Sequence, residues 1–349
     1  MSPTIPIESG FEATQAVGLD RELEALLTSA GVATISDIGW IRVTGEDRVR
    51  WLNGMVTNSV QDLAPGAGCY SFFLNAQGRI QGDGTIFARD KDLLIETGLA
   101  QAPGLISMLD RFIIMDDVEL SDQSAGRHGL LVAGPRAPDL LRELGLLSAV
   151  EGTAPDFESF AWRSQDVDVI RAWSPRVPRF EIWFGPDEVA GGAIGALRSD
   201  VMDRGAAACT SATVDLLRIA EGTPKFGVDI RDRDLPQETG AVRALHFAKG
   251  CYLGQEIVER IRSRGNLHRT FQGFRLEGES AAAGAPLAVD GKPVGELTSV
   301  AQLPMIDGSR AQVGLGYVRR EALTPGKHIE FEGGAARPIS LPFSRTNIF

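Results

Sequence analysis

Apolar residues follow two different patterns along this chain, and the pattern changes near residue 270. In the first part, short alternating strands are interrupted by amphipathic helices. Residues 18–31 place four leucines on one helical face, and residues 186–197 begin with Pro-Asp-Glu, which is typical of a first helical turn. Strands are predicted at residues 40–44, 69–74, 85–88, 92–97, 130–133, 167–171 and 180–184. Because hairpin-like turns join many of them, the pattern favours an α+β fold over a doubly wound parallel sheet.

The pattern after residue 270 lacks helical segments. Short apolar segments at residues 273–276, 293–300, 313–318 and 328–331 are separated by glycine and proline turns. Short strands with such turns are typical of a small antiparallel barrel or sandwich. The chain is therefore expected to end in a separate C-terminal β domain.

Composition limits the partners that the protein can have. The chain has 349 residues, of which 43% are hydrophobic and 23% charged, as in a globular protein of two or three domains. Its net charge of −11 argues against nonspecific nucleic-acid binding, which needs clustered lysine and arginine. The N-terminal segment lacks the basic start and apolar core of a secretory signal, and no apolar run approaches the ~20 residues that span a bilayer.

Cysteine usage indicates a reducing environment. The cysteines, Cys69, Cys209 and Cys251, are far apart and form no Cys-x-x-Cys pair. The sequence therefore suggests neither a disulfide framework nor a cysteine-rich metal site, and no metal is expected. A cytoplasmic location is the expectation.

The motif segment, residues 249–256, has the sequence Lys-Gly-Cys-Tyr-Leu-Gly-Gln-Glu and carries the strongest chemical signal. Cys251 stands two residues after Lys249 and about one turn before a predicted helix. A nearby ammonium and a helix N-terminus both stabilise a thiolate, which would make this cysteine reactive. A buried cysteine that fills a gap in the core is an equally weighted alternative. Local chemistry leaves both roles open.

Basic residues follow the motif segment at Arg260, Arg262, Arg264, His268 and Arg269. Helical spacing predicts that Glu256 pairs with Arg260 and Glu259 with Arg262, so a solvated helix face accounts for two of these arginines. The alternative is a local anion site for carboxylates or phosphate, for which the guanidinium fork is suited.

The motif segment, together with the following Arg260 and Arg264-Gly265, resembles the signature of YgfZ-type folate-binding proteins, Lys-Gly-Cys-Tyr/Phe-x-Gly-Gln-Glu. That group belongs to the superfamily of the glycine-cleavage aminomethyltransferase, or T-protein. Residues 45–58, 77–83, 218–224 and 294–299 are similar to other patterns of the group. The resemblance covers roughly residues 35–345.

The resemblance implies a three-domain ring around a central opening that binds tetrahydrofolate, with an α+β fold and a C-terminal antiparallel β-barrel. The implied domains are two α+β folate-binding regions, residues 1–125 and 126–265, and the barrel, residues 266–349. The first domain is expected to be discontinuous and interleaved with the second. The resemblance assigns a functional role to Cys251 with Lys249. The implied folate contacts are Trp40, Asp83, Glu221, Tyr252, Gln255, Arg260 and Arg264.

The function implied is that of a monomeric accessory protein that binds tetrahydrofolate and supports the assembly or repair of iron–sulfur enzymes through Cys251. Its partners would be such client enzymes, for example radical enzymes that modify tRNA, with no direct contact to nucleic acid or membrane.

Two alternatives remain beside that function. One is a folate-dependent aminomethyltransferase of the T-protein type, and the other is a scaffold in which Cys251 only packs. The T-protein patterns Arg-Leu-Glu-Ala-Gly and Asp-Asp are altered here to Arg-Ile-Ala-Glu-Gly, at residues 218–222, and to Gly82-Asp83. This difference favours the accessory function over transfer chemistry.

Overall fold

The structure is a computed structural model and describes residues 8–148, 154–163, 165–185, 190–265, 267–305 and 307–344. Its framework consists of three β-sheets with helices packed against them. The predicted α+β fold is confirmed. No helix in the described part of the chain is long and apolar enough to cross a membrane.

The first sheet is antiparallel and contains five strands in the order β3-β4-β5-β2-β6. Its strands are β2 (Ile38–Thr44), β3 (Gly68–Leu74), β4 (Ile80–Ala88), β5 (Leu93–Gly98) and β6 (Glu119–Asp122). Helices α2 (Arg48–Asn53) and α3 (Ala102–Asp110) belong to this part of the chain and share an apolar cluster with the sheet. The opposite face of the sheet is left for the second sheet and for the segment that follows residue 225.

The second sheet contains six strands in the order β11-β1-β7-β10-β9-β8. Its strands are β1 (Gly31–Ile35), β7 (His128–Ala133), β8 (Asp156–Trp162), β9 (Gln165–Ala172), β10 (Arg179–Phe184) and β11 (Ala207–Ala208). The helices near it are α1 (Glu8–Thr28), α4 (Ala137–Glu143), α5 (Ala190–Asp203) and α6 (Ser211–Glu221). Strand β1 precedes the first sheet in the chain but pairs with β7 and β11, so the two sheets are interleaved. The predicted boundaries at residues 125 and 265 stay predictions.

The C-terminal sheet closes into a six-stranded antiparallel barrel, as predicted for this region. Its strands are β12 (Arg269–Gly278), β13 (Pro286–Val289), β14 (Lys292–Pro304), β15 (Arg310–Arg319), β16 (Glu330–Phe331) and β17 (Gly334–Ile339). The connection from α6 to the barrel contains 3-10 turns at Pro236–Thr239 and Val242–Ala244 and helix α7 (Gln255–Arg264), and another 3-10 turn follows β15 at Arg320–Leu323. Closure removes the sheet edges, which protects this small domain from pairing with other strands.

A buried aspartate attaches this connection to the barrel. Asp229 is fully buried, and its Oδ2 accepts a hydrogen bond from Arg218 Nη1 at 2.6 Å. Its Oδ1 accepts from the hydroxyls of Thr298 and Ser299 on β14, at 2.5 and 2.8 Å. A buried carboxylate is tolerated only when charged or polar donors surround it, and these three donors fix the barrel against α6.

Most of the predicted elements are present, with shifted ends. The helix predicted at residues 18–31 is α1, which starts earlier and ends at Thr28. The helix predicted at residues 186–197 is α5, Ala190–Asp203, and its predicted first four residues lie outside the described residues. Strands β1, β6, β8, β11, β13 and β17 were not predicted. Of these, β1 and β8 lack the sustained alternation that identifies a half-buried strand.

Candidate functional site

Strand β4 presents one carboxylate to a set of polar side chains on the face opposite α3. Tyr70 Oη donates to Asp83 Oδ2 at 2.6 Å, and Gln101 Nε2 donates to Asp83 Oδ1 at 3.0 Å. Burial raises the pKa of Asp83, although both hydrogen bonds act in the opposite direction. Asp83 is thus a positioned carboxyl group whose pKa lies above that of an ordinary aspartate, a property suited to proton transfer.

An arginine lies over the same group. The Arg243 guanidinium carbon is 3.6 Å from the centre of the Trp173 ring and 4.5 Å from that of Tyr70. Burial lowers the pKa of Arg243, and the charges of Asp83 and Glu221 oppose that shift. Its Nε is buried without a hydrogen-bond partner among the described residues. Since buried donors are almost always paired, this nitrogen is available to an acceptor on a ligand.

Glu221 contributes a second carboxylate near Arg243, from the end of helix α6. It is the last residue of α6, only 5% exposed, and accepts a hydrogen bond from the Ser174 hydroxyl. Burial raises its pKa. The helix ends at once because Gly222 has a φ of 68°. A Cβ at this position would lie 2.6 Å from Leu341, so glycine is also required by the close packing. We call Tyr70, Asp83, Trp173, Glu221 and Arg243 the central cluster.

Strand β4 contributes one carboxylate, that of Asp83, to the central cluster, and the residue before it is Gly82. Successive side chains of a strand point to opposite faces, so position 82 points away from Asp83. A Cβ on Gly82 would lie 2.6 Å from Leu105 Cδ2 on α3. A second aspartate here would therefore enter the apolar layer under α3 and not the central cluster.

Trp40 lies in the contact between the first two sheets. Its side chain is fully buried, with its ring centre 5.2 Å from that of Trp183 in an edge-to-face arrangement. The Arg127 guanidinium lies 5.0 Å from the Trp40 ring. These contacts give Trp40 a packing role, and its contact with folate stays a prediction.

Lys249 is bound by the first sheet and not by the thiol that it precedes. Its Nζ donates to the backbone oxygens of Asn53, Val56 and Asn58, at 2.6, 2.8 and 2.5 Å. Burial lowers its pKa to about 8, while three carbonyl acceptors favour the ammonium, which alone has three donors. Because all three donors are used, Lys249 has a structural role, and its stabilisation of the Cys251 thiolate stays a prediction.

Cys251 is exposed, so the alternative of a thiol that fills the core is wrong. It lies four residues before α7, which begins at Gln255 as predicted. Tyr252, in contrast, is 8% exposed and packs in a cluster with Phe72, and burial raises its pKa to about 12. Gln255 Oε1 accepts from the Tyr252 backbone N–H at 3.2 Å, which orders the start of the helix. Folate contacts of Tyr252 and Gln255 stay predictions.

The two predicted arginine contacts, Arg260 and Arg264, lie outside the central cluster. Both line a cleft of about 320 Å³ between α7 and the β3–β4 turn. Of the predicted ion pairs on α7, Glu259 and Arg262 approach to 3.5 Å. Within the described residues, no ion pair joins Glu256 to Arg260, and no three acidic, histidine or cysteine side chains group as they would around a metal.

Comparison with known proteins identifies the family. The family model described as the GCVT N-terminal domain matches residues 8–249, which is more than half of the chain. The chain belongs to this family.

Similar proteins support this family assignment. An aminomethyltransferase of Rubrobacter xylanophilus is 29% identical over 345 residues, covering 95% of this chain and 87% of that protein. A chloroplast protein of Arabidopsis thaliana, named as a transferase, is 25% identical over 311 residues, covering 89% and 70%. The crystal structure of the glycine cleavage system aminomethyltransferase T from Bartonella henselae has a TM-score of 0.80 at 22% identity, covering 94% of this chain and 90% of that one. The last comparison shows the shared fold.

Four residues of this site were not predicted from the sequence: Tyr70, Gln101, Trp173 and Arg243. Trp173 follows directly after β9, and a single aromatic residue at a strand end was an available signal. Arg243 lies in a short 3-10 turn with no pattern of its own. It reaches Trp173 and Tyr70 only through tertiary contact, which local periodicity does not reveal.

The Lys249 contacts lead to a stability prediction. We expect Lys249→Met to lower the free energy of unfolding by about 2–3 kcal/mol, because three carbonyl oxygens lose a charged donor. Urea unfolding measures this change. Lys292→Met, at an exposed position of β14, is the matched control and should change the value by less than about 0.5 kcal/mol. Equal losses in the two variants would contradict the structural role of Lys249.

Proposed function

We propose that this GCVT family protein binds a tetrahydrofolate-type ligand at the central cluster. The observation that carries the proposal is the buried Nε of Arg243, which has no hydrogen-bond partner among the described residues and lies beside Trp173, which is 37% exposed. A flat heterocycle with polar edges fits such surroundings: the indole offers a stacking face, Arg243 offers donors, and Asp83 and Glu221 offer acceptors. Family membership and the names of the relatives support the same ligand class.

Titration of the whole protein with tetrahydrofolate by calorimetry tests this binding. We expect Arg243→Gln to weaken the affinity at least about tenfold, because charge-assisted hydrogen bonds to the ligand are lost. Arg142→Gln is the matched control, since that arginine pairs with Asp139 on α4 at 2.7 Å and is not part of the central cluster. Absence of binding to the unaltered protein would remove the folate proposal altogether.

We infer that the bound ligand takes part in transfer of an aminomethyl group, as in the relatives of that name. Tetrahydrofolate supplies nitrogens that accept a one-carbon unit. In this chain, Asp83 is the residue that can take or return a proton at such a nitrogen, since Tyr70 and Gln101 orient its carboxylate and burial raises its pKa. The altered Gly82-Asp83 pair is compatible with this chemistry, because position 82 points to α3.

Replacement of Asp83 tests the transfer step. We expect Asp83→Asn to reduce methylene-tetrahydrofolate formation from an aminomethyl-loaded carrier by about 10²–10⁴-fold, with a much smaller loss of folate affinity. The amide oxygen can still accept from Tyr70, so the fold should be retained. In the unaltered protein, activity should fall on acidification, with its midpoint above the usual aspartate range because burial raises the pKa of Asp83. Asp90→Asn, in the exposed β4–β5 turn, is the control, and wild-type activity of Asp83→Asn would contradict the assignment.

A second candidate function rests on Cys251. The thiol is exposed within the Lys-Gly-Cys-Tyr segment that resembles YgfZ-type proteins, and this segment has no role in the transfer chemistry described above. In this candidate, bound folate and Cys251 support iron–sulfur client enzymes in the cytoplasm. Because a single cysteine cannot hold a cluster, any cluster contact would be shared with the client.

Substitution of Cys251 separates the two candidates. We expect Cys251→Ser to leave tetrahydrofolate affinity within about twofold of the unaltered protein, since the thiol lies outside the central cluster. If the accessory function operates, the same variant lowers the activity of a cluster-dependent enzyme in cells lacking the natural protein. Cys209→Ser, at a buried position, controls for loss of a thiol. Full complementation by Cys251→Ser would exclude the accessory function.

A further inference from the structure

A basic cleft lies between helix α7 and the turn that joins β3 to β4. Its lining residues are Gln77, Arg79, Leu235, Ile257, Arg260, Ile261, Arg264 and His268. Its volume is about 320 Å³, and no residue of the central cluster lines it. Within the described residues, the lining includes no carboxylate, although the whole chain has a net charge of −11. The cleft is therefore a local concentration of positive charge on an acidic protein.

Two glycines allow the walls of this cleft to meet. Gly254 has a φ of 79°, and a Cβ there would lie 2.6 Å from the backbone oxygen of Asn75. Gly78 has a φ of 69°, and a Cβ there would lie 2.7 Å from Ile257 Cβ. Larger residues would be strained at both positions and would separate the helix from the turn. The two glycines thus bring Arg79 into the same cleft as the arginines of α7.

The charges of the arginines in the cleft are not neutralised by any carboxylate of the described residues. Arg260 and Arg264 are four residues apart on α7, an arrangement in which like charges destabilise a helix. Neither forms an ion pair with any described residue, whereas Arg262 on another face pairs with Glu259 at 3.5 Å. Arg79 uses one Nη to donate to the Arg233 backbone oxygen, which holds its side chain at the cleft without neutralising it.

We propose that this cleft binds a small polyanion, with two or more phosphate or carboxylate groups joined by a partly apolar body. Arg79, Arg260 and Arg264 supply guanidinium groups from two walls, and a guanidinium fork binds either kind of anion. Leu235, Ile257 and Ile261 provide the apolar contact for the body of the ligand. The negative charge of the whole chain disfavours long nucleic acids, which favours a small ligand. The proposal does not depend on folate binding at the central cluster.

Calorimetric titration of the full chain at low ionic strength tests the cleft, with pyrophosphate and triglutamate as the two probes. Saturable binding of at least one probe is expected. Tighter binding of pyrophosphate would indicate a phosphate ligand, and tighter binding of triglutamate would indicate a carboxylate ligand. Arg260→Gln/Arg264→Gln should weaken that binding at least about tenfold. Arg262→Gln removes the same charge from the same helix outside the cleft and should change the affinity less than about twofold.

A further variant and an RNA probe complete the test. Arg79→Gln alters the opposite wall of the cleft without changing α7, and it should also weaken binding of the probe. The proposal can therefore be tested even if the double variant on α7 has a folding defect. The proposal is overturned if neither probe binds saturably, or if Arg262→Gln weakens binding as much as the cleft variants. Tighter binding of a short single-stranded RNA with the same arginine dependence would assign the cleft to nucleic acid instead.

Discussion

The attachment of residues 243–254 to the first sheet is the constraint on which the functional surfaces depend. Lys249 donates to three backbone oxygens of the loop after α2. Thr57 Oγ1 donates to the Ala244 backbone oxygen at 2.6 Å, and Asn58 Nδ2 donates to that of Arg243 at 2.8 Å. These bonds join positions nearly two hundred residues apart, and they place Arg243 over Tyr70 at one end of the segment and Cys251 in solvent at the other.

The same attachment explains why the motif segment combines residues of such different character. Lys249 and Tyr252 are held by the sheet, whereas Cys251 between them is exposed. Gly254 then lets α7 touch the β3–β4 turn, which forms the basic cleft. One short segment therefore contributes to the central cluster, the exposed thiol and the basic cleft, and its residue types follow from the different surroundings of each side chain.

The fold was predictable from the sequence to the extent that local pattern decides it. Local pattern identified four of the five strands of the first sheet, all but β6, and glycine and proline turns identified the barrel. Strand β1 was missed because its three buried residues in a row show no alternation, and its partner β7 lies about a hundred residues away. In the site, Asp83 and Glu221 were predicted from resemblance. Their link through Arg243, and the carbonyl ligands of Lys249, are long-range contacts that no residue spacing encodes.

The central cluster is also a place where burial opposes charge. Burial raises the pKa of Asp83 and of Glu221 and lowers that of Arg243, so each group is destabilised in its charged form relative to water. A core built only for stability would pair these groups directly, yet Arg243 Nε stays without a partner among the residues described. A ligand that supplies donors to the carboxylates and an acceptor to the arginine would restore the missing hydrogen bonds and stabilise the folded state by binding it selectively. The cost of burying these charges and the proposed affinity of the cluster for a polar heterocycle therefore have the same origin.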